Sequence, residues 1–107
     1  MADKFRVTLA QANPVMGDIA GNAAKAKAAW DEAKAAGSDL VAMPEMFILG
    51  YNPQDLVMKP AVQAACLAAV ERLALDCADG PALAIGGPYA EDDQLFNAYF
   101  ILNGGKI

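Results

Sequence analysis

Apolar residues along this chain follow two rhythms that alternate. Phe5-Arg6-Val7-Thr8-Leu9-Ala10 sets a large apolar residue at every second position, the period of a strand. Gln11 to Gly21 breaks the pattern with Asn13-Pro14 and Gly17-Asp18 and reads as a loop. From Asn22 to Ala36 the period lengthens to that of a helix, with Asn22 as the expected N-cap and Gly37 as the stop. Ala23, Ala26, Trp30 and Ala33 share one face, with Trp30 as its core anchor; Lys25, Asp31, Glu32 and Lys34 fall mostly off it. Ser38-Asp39 turns the chain into a second strand, Leu40 to Met43. Strand, helix and strand joined by short links predict a parallel pair with a right-handed crossover.

The same alternation repeats downstream. Asn52-Pro53-Gln54-Asp55-Leu56 predicts a short helical turn, and Pro60 opens a helix that runs to about Cys77. Val62, Cys66, Ala69, Leu73 and Cys77 form its expected buried face. Asp79-Gly80-Pro81 ends the unit. Ala82 to Gly87 reads as a strand buried on both faces, and Leu95 to Leu102 as a fourth strand. Asn103-Gly104-Gly105 is a hairpin signal, with Lys106-Ile107 beginning an antiparallel arm. Two residues cannot hold a sheet edge, so the domain is expected to continue past Ile107.

Composition narrows the class. Over 107 residues the chain is 56% hydrophobic and 20% charged, which describes a globular chain, much of its apolar content being alanine. A net charge of -5 argues against nonspecific binding to nucleic acid or anionic membranes. No stretch approaches the ~20 apolar residues of a membrane span, and the N-terminus shows no signal-peptide core. The expected location is the cytoplasm. Cys66 and Cys77 lie in one predicted helix, roughly 16 Å apart at ~1.5 Å per residue, too far for a disulfide. Both read as small apolar packing residues, since neither has the surroundings of a nucleophile.

One run carries chemistry: Val41-Ala42-Met43-Pro44-Glu45-Met46-Phe47-Ile48-Leu49-Gly50-Tyr51. An apolar strand stops at proline and a carboxylate follows at once. Ligands of open α/β sheets sit beyond the carboxyl ends of the strands, so Glu45 is the candidate catalytic residue. The chain has no histidine, and its cysteines are placed as core. A catalytic Glu45 therefore needs partners from beyond these residues. Gly86 and Gly87 lack the spacing of a phosphate loop and read as close backbone packing. No metal site is expected.

The residues resemble a known family. Ala10-Gln11-Ala12-Asn13-Pro14-Val15-Met16-Gly17-Asp18-Ile19-Ala20-Gly21-Asn22, then Met43-Pro44-Glu45, then Gly50-Tyr51-Asn52-Pro53-Gln54-Asp55-Leu56 look like the start of a nitrilase-superfamily (carbon–nitrogen hydrolase) domain. The branch they most resemble comprises the N-terminal glutaminase domains of glutamine-dependent NAD⁺ synthetases. Ala84-Ile85-Gly86-Gly87-Pro88 and Phe96-Asn97-Ala98 fit as well, whereas Gln54 stands where that branch commonly has an acidic residue.

The resemblance implies an α/β fold, an α-β-β-α sandwich of the nitrilase type. Residues 1–107 would be only its N-terminal part, with the rest of that domain and an ATP-using synthetase domain outside this chain. It implies a Glu–Lys–Cys triad in which Glu45 is the general base, the lysine stabilises an oxyanion and the cysteine is the nucleophile. That lysine follows the hairpin at Asn103, and Lys106, in or beside the turn, is not assigned the role. Tyr51 matches a pocket tyrosine that binds substrate. Asp55 is read as a cap for the short helical turn, with the pocket as its other possible place.

The implied substrate is L-glutamine, whose ammonia would amidate deamido-NAD⁺ with ATP. No cofactor is expected on this chain; ATP and Mg²⁺ belong to the synthetase domain. No nucleic-acid or membrane partner is implied, and a homo-oligomer is. The isolated chain is expected to be inactive. Two other readings stay open: a stand-alone carbon–nitrogen hydrolase acting on another small amide or nitrile, and a non-catalytic binding module.

Overall fold

A computed structural model describes residues 4–107 of the chain. Four strands and two helices form one mixed α/β unit: β1 (Val7–Leu9), α1 (Ile19–Ala35), β2 (Leu40–Ala42), α2 (Pro60–Asp76), β3 (Ala82–Glu91) and β4 (Gln94–Leu102). A 3₁₀ turn, Gln54–Met58, precedes α2. Strand order follows chain order. β1, β2 and β3 are mutually parallel, and β4 returns antiparallel to β3. The predicted crossover from β1 to β2 is thus present, a second joins β2 to β3, and both helices pack on one face of the sheet.

That face holds the core. Val41, Leu83, Ile85, Phe100 and Leu102 pack against Ala26, Trp30 and Ala33 of α1 and Cys66, Val70, Leu73 and Ala74 of α2. Val70 and Ala74, not foreseen in the α2 face, are buried, whereas Val62 and Ala69 are half-buried. Trp30 anchors α1 as expected: its indole N–H donates to the Pro81 carbonyl at 2.8 Å. Both cysteines are buried and free, and burial pushes each thiol up to about 11. They are packing residues, as the sequence predicted.

Three boundaries differ from expectation. First, α1 begins three residues before Asn22. The cap is Asp18, whose carboxylate accepts from the Gly21 N–H at 3.0 Å. Asn22 sits fully buried within the helix. Its Oδ1 accepts from the Val15 N–H at 2.8 Å, and its Nδ2 donates to the carbonyls of Val15 at 2.9 Å and Ile48 at 3.1 Å. It ties two loops to the helix instead of starting it. Second, β3 runs on through Pro88 to Glu91. Third, Asp92 and Asp93, at φ 51° and 62°, turn it directly into β4. Two successive left-handed residues make a tight hairpin, a conformation Asp tolerates better than most side chains.

The C-terminal end of α1 matches the reading. Gly37, at φ 79°, donates to the Lys34 carbonyl while Ser38 donates to Ala33, a Schellman closure. Asn103-Gly104-Gly105 also turns as expected, with Asn103 and Lys106 bridged antiparallel.

On the opposite face the Glu45 turn covers part of β3, but β1 and β4 are left exposed. Val7 and Leu9 of β1 are 46% and 74% exposed, and Ile101 of β4 is 50% exposed. Leu9 and Ile101 stand in one row, Leu9 beside Ala42, Ala42 beside Ala84 and Ala84 beside Ile101. One sheet with helices on one side is one half of an α-β-β-α sandwich. Among the described residues, no helix is long and apolar enough to cross a membrane.

Candidate active site

The Glu45 turn leaves β2 and folds back across the central strand. Met43 N donates to the Ala84 carbonyl at 2.8 Å, which extends the β2–β3 pairing by one step. The chain then reverses through Met46, a buried non-glycine residue held at φ 53°. Left-handed backbone at such a residue persists only where the surroundings over-determine it, and it clusters at functional sites. Ile48 N donates to the Gly86 carbonyl at 3.1 Å, and Gly50 N to Met46 O at 2.9 Å.

Gly86 explains how the turn fits. A Cβ built there would overlap the Met46 nitrogen and lie 2.8 Å from the Glu45 carbonyl carbon and 2.9 Å from its Cα. At Gly87 a Cβ would meet the Ile48 side chain at 2.6 Å. Both glycines therefore serve close backbone packing, as read from the sequence, and Gly86 is the floor on which Glu45 rests.

β4 holds the same turn from the other side of β3. The Tyr99 hydroxyl donates to the Met43 carbonyl at 2.8 Å. Burial raises the pKa of this phenol, which favours the protonated, donating form. Asn97, two residues earlier, donates from Nδ2 to Glu45 Oε2 at 3.2 Å. Glu45 itself is exposed, at the rim of a cleft of about 380 Å³. Tyr51, Asn52, Pro53, Phe96 and Asn97 line that cleft with it.

The structure thus brings Glu45 and Tyr51 to one concavity. It does not bring Asp55 there: Asp55 is exposed in the first turn of the 3₁₀ segment, which has no side-chain cap hydrogen bond, so its expected capping role is also not realised. Lys106 lies in the C-terminal hairpin, in a hollow with Glu71 and Leu75. Asn97 was not singled out for a role in the sequence. A polar residue in an otherwise apolar run, two positions from an aromatic of the same strand face, was the available signal. Among the described residues, no group of three or more His, Cys, Asp or Glu could hold a metal ion.

What this arrangement can do is limited and specific. It offers an exposed carboxylate, held by one hydrogen bond, at the rim of a cleft, with a phenol and carboxamides around it. It offers no activated thiol.

Comparison with known proteins agrees with this architecture. The Carbon-nitrogen hydrolase family profile matches residues 6–107. A glutamine-dependent NAD(+) synthetase of Rhodobacter capsulatus is 53% identical over 107 residues, all of this chain and 19% of that protein. Another from Thermotoga maritima is 34% identical over 97% of the chain and 18% of its own length. Among solved structures, the glutamine-dependent NAD+ synthetase of Acinetobacter baumannii in complex with ADP superposes with a TM-score of 0.89. It is 27% identical and is matched over 96% of this chain and 19% of its own. The chain therefore spans about one fifth of the length of these relatives.

Proposed function

The chain belongs to the carbon–nitrogen hydrolase family, and from that membership we propose that it is the N-terminal part of the glutaminase domain of a glutamine-dependent NAD⁺ synthetase. The observation that carries the reading is the Glu45 turn: a carboxylate at a strand end, seated on a glycine, hydrogen-bonded to Asn97 and sharing a cleft with Tyr51. The identity to synthetases over the whole chain favours this branch over a stand-alone amidase or a binding module. The exposed apolar residues of that sheet face support the domain assignment, because the second sheet of the sandwich would cover Leu9 and Ile101.

In this reading Glu45 is the general base. It takes the proton of a cysteine thiol supplied from beyond these residues, and the thiolate attacks the glutamine carboxamide carbon. A lysine, also from beyond them, stabilises the oxyanion. Glu45 then delivers the proton to the departing nitrogen, and ammonia leaves as the thioester forms. Finally it deprotonates the water that cleaves the thioester to glutamate, and the thiol is restored. Tyr51 contacts the bound glutamine. The ammonia amidates deamido-NAD⁺ at an ATP- and Mg²⁺-dependent synthetase domain of the same protein, in the cytoplasm and within a homo-oligomer. ATP and Mg²⁺ belong to that synthetase domain, and no step on this chain runs through them.

The test is Glu45→Gln in the full-length protein, with NAD⁺ formation measured from glutamine and separately from ammonium. A positioned general base contributes about 10²–10⁴ in rate. Glutamine-driven synthesis should fall by at least that lower figure while ammonium-driven synthesis stays largely intact. Equal loss of both would make Glu45 a structural residue and overturn the reading.

A further inference from the structure

We infer that Asn97 is the positioning residue for Glu45, holding one carboxylate oxygen so that the other is left for proton transfer. This rests on the reading of Glu45 as general base. The hydrogen bond from Asn97 Nδ2 reaches Oε2 at 3.2 Å across 52 residues of sequence. Its path explains its existence. Asn97 stands opposite Pro88 on β4, and Tyr99, on the same strand face, stands opposite Gly86. No side chain rises from Gly86, so both β4 residues can reach over the central strand to the end of β2. Tyr99 takes the Met43 carbonyl and Asn97 takes the carboxylate, two grips that flank Pro44.

The residue type matters. A glutamate side chain on an exposed turn samples several rotamers, and each non-productive one subtracts from the reactive population. A neutral amide restrains the carboxylate without neutralising it. A lysine or arginine here would pair with it and hold it as an ion, and an aspartate would repel it. With Oε2 engaged, Oε1 is the oxygen left to accept the thiol proton. Asn97 also lines the cleft, so its loss removes a restraint at the reacting end and leaves the strand-end grip of Tyr99 in place.

The experiment uses the full-length protein with Asn97→Ala and the near-isosteric Asn97→Asp, assayed for glutamine hydrolysis and for NAD⁺ formation from ammonium. Asn97→Ala is expected to lower kcat for glutamine on the order of ten-fold, with KM changed less than about two-fold. Asn97→Asp, which preserves shape but brings a like charge, is expected to lower kcat further, with ammonium-driven synthesis retained in both. Rates from glutamine and ammonium that fall together, a KM that rises with kcat unchanged, or an unaffected kcat in either variant each overturn the inference. If Asn97→Ala does not fold, Asn97→Asp alone decides it by the same criteria. Wild-type protein that releases no ammonia from glutamine overturns the glutaminase reading itself, and this inference with it.

Discussion

Gly86→Ala adds one methyl group and should disable the Glu45 turn. No rotamer search can relieve it, because the atoms it meets are backbone: Met46 N, the Glu45 carbonyl carbon at 2.8 Å and Glu45 Cα at 2.9 Å. Ordinary carbon–carbon contact begins near 3.5 Å, so the Glu45 backbone has to retreat by about 0.7 Å, and the Met46 nitrogen, the nearest atom, by more. β3 yields little instead, since it is paired to β4 at Gly86 and to β2 up to Ala84, and Gly86 is buried. Gly86 is not among the glycines with positive φ, so the effect is steric and not one of backbone preference. Overpacking of this kind costs roughly 1–3 kcal/mol. The bond from Ile48 N to Gly86 O, at 3.1 Å, is strained by the same shift, adding up to about 1 kcal/mol. The smaller unfolded-state entropy of alanine offsets about 0.4–1 kcal/mol. A net loss near 2 kcal/mol is expected in a denaturant melt of the full-length protein. Displacing a catalytic group by such a distance costs on the order of 10²-fold in turnover, so glutamine hydrolysis should fall far more than the fraction folded. A Gly86→Ala protein with an unchanged unfolding midpoint and unchanged glutamine turnover would refute the seat.

Three further outcomes follow. Asn22→Ala removes three hydrogen bonds to buried or half-buried backbone and should destabilise by about 3 kcal/mol in a denaturant melt. Asn22→Asp should be at least as damaging, because a carboxylate faces two carbonyls; a loss under about 0.5 kcal/mol for either would remove the pinning role. Cys66 and Cys77, each raised to about 11 by burial, are thiolate at only about one part in several thousand near pH 7.5. They should resist iodoacetamide until the protein is unfolded, read by peptide mass spectrometry, and the isolated 107-residue chain should release no ammonia from glutamine. Labelling of either cysteine in native protein at the rate of a free thiol, or ammonia release by the pure chain, would contradict this.

Much of the architecture was legible because it is set by short-range rules. Pro60 at the first turn of α2, Gly37 closing α1 and the apolar run Leu40–Met43 each act on their immediate neighbours, and each appears where the pattern put it. Asn22 misled for the converse reason. An asparagine before an alanine-rich helix has the chemistry of a cap, but three of its hydrogen bonds go to Val15 and Ile48, and the partner 26 residues away is invisible to a local pattern. The β3–β4 hairpin was hidden because two aspartates, not glycines, take the left-handed positions.

The candidate site divides along the same line. Glu45 could be read because the end of a strand is a local event. What holds Glu45 could not, because Gly86 and Asn97 are 41 and 52 residues away and act only through pairing register. The register also shows why a glycine is needed at Gly86. With Tyr99 beside Gly86 and Asn97 beside Pro88, any side chain on the central strand at Gly86 would stand between β4 and the β2 end. The small residue that lets the turn settle onto the sheet is thus the one that lets β4 reach the carboxylate. Seat and restraint are one geometric solution, so damage to either should appear first in the reactivity of Glu45 and only second in the stability of the sheet.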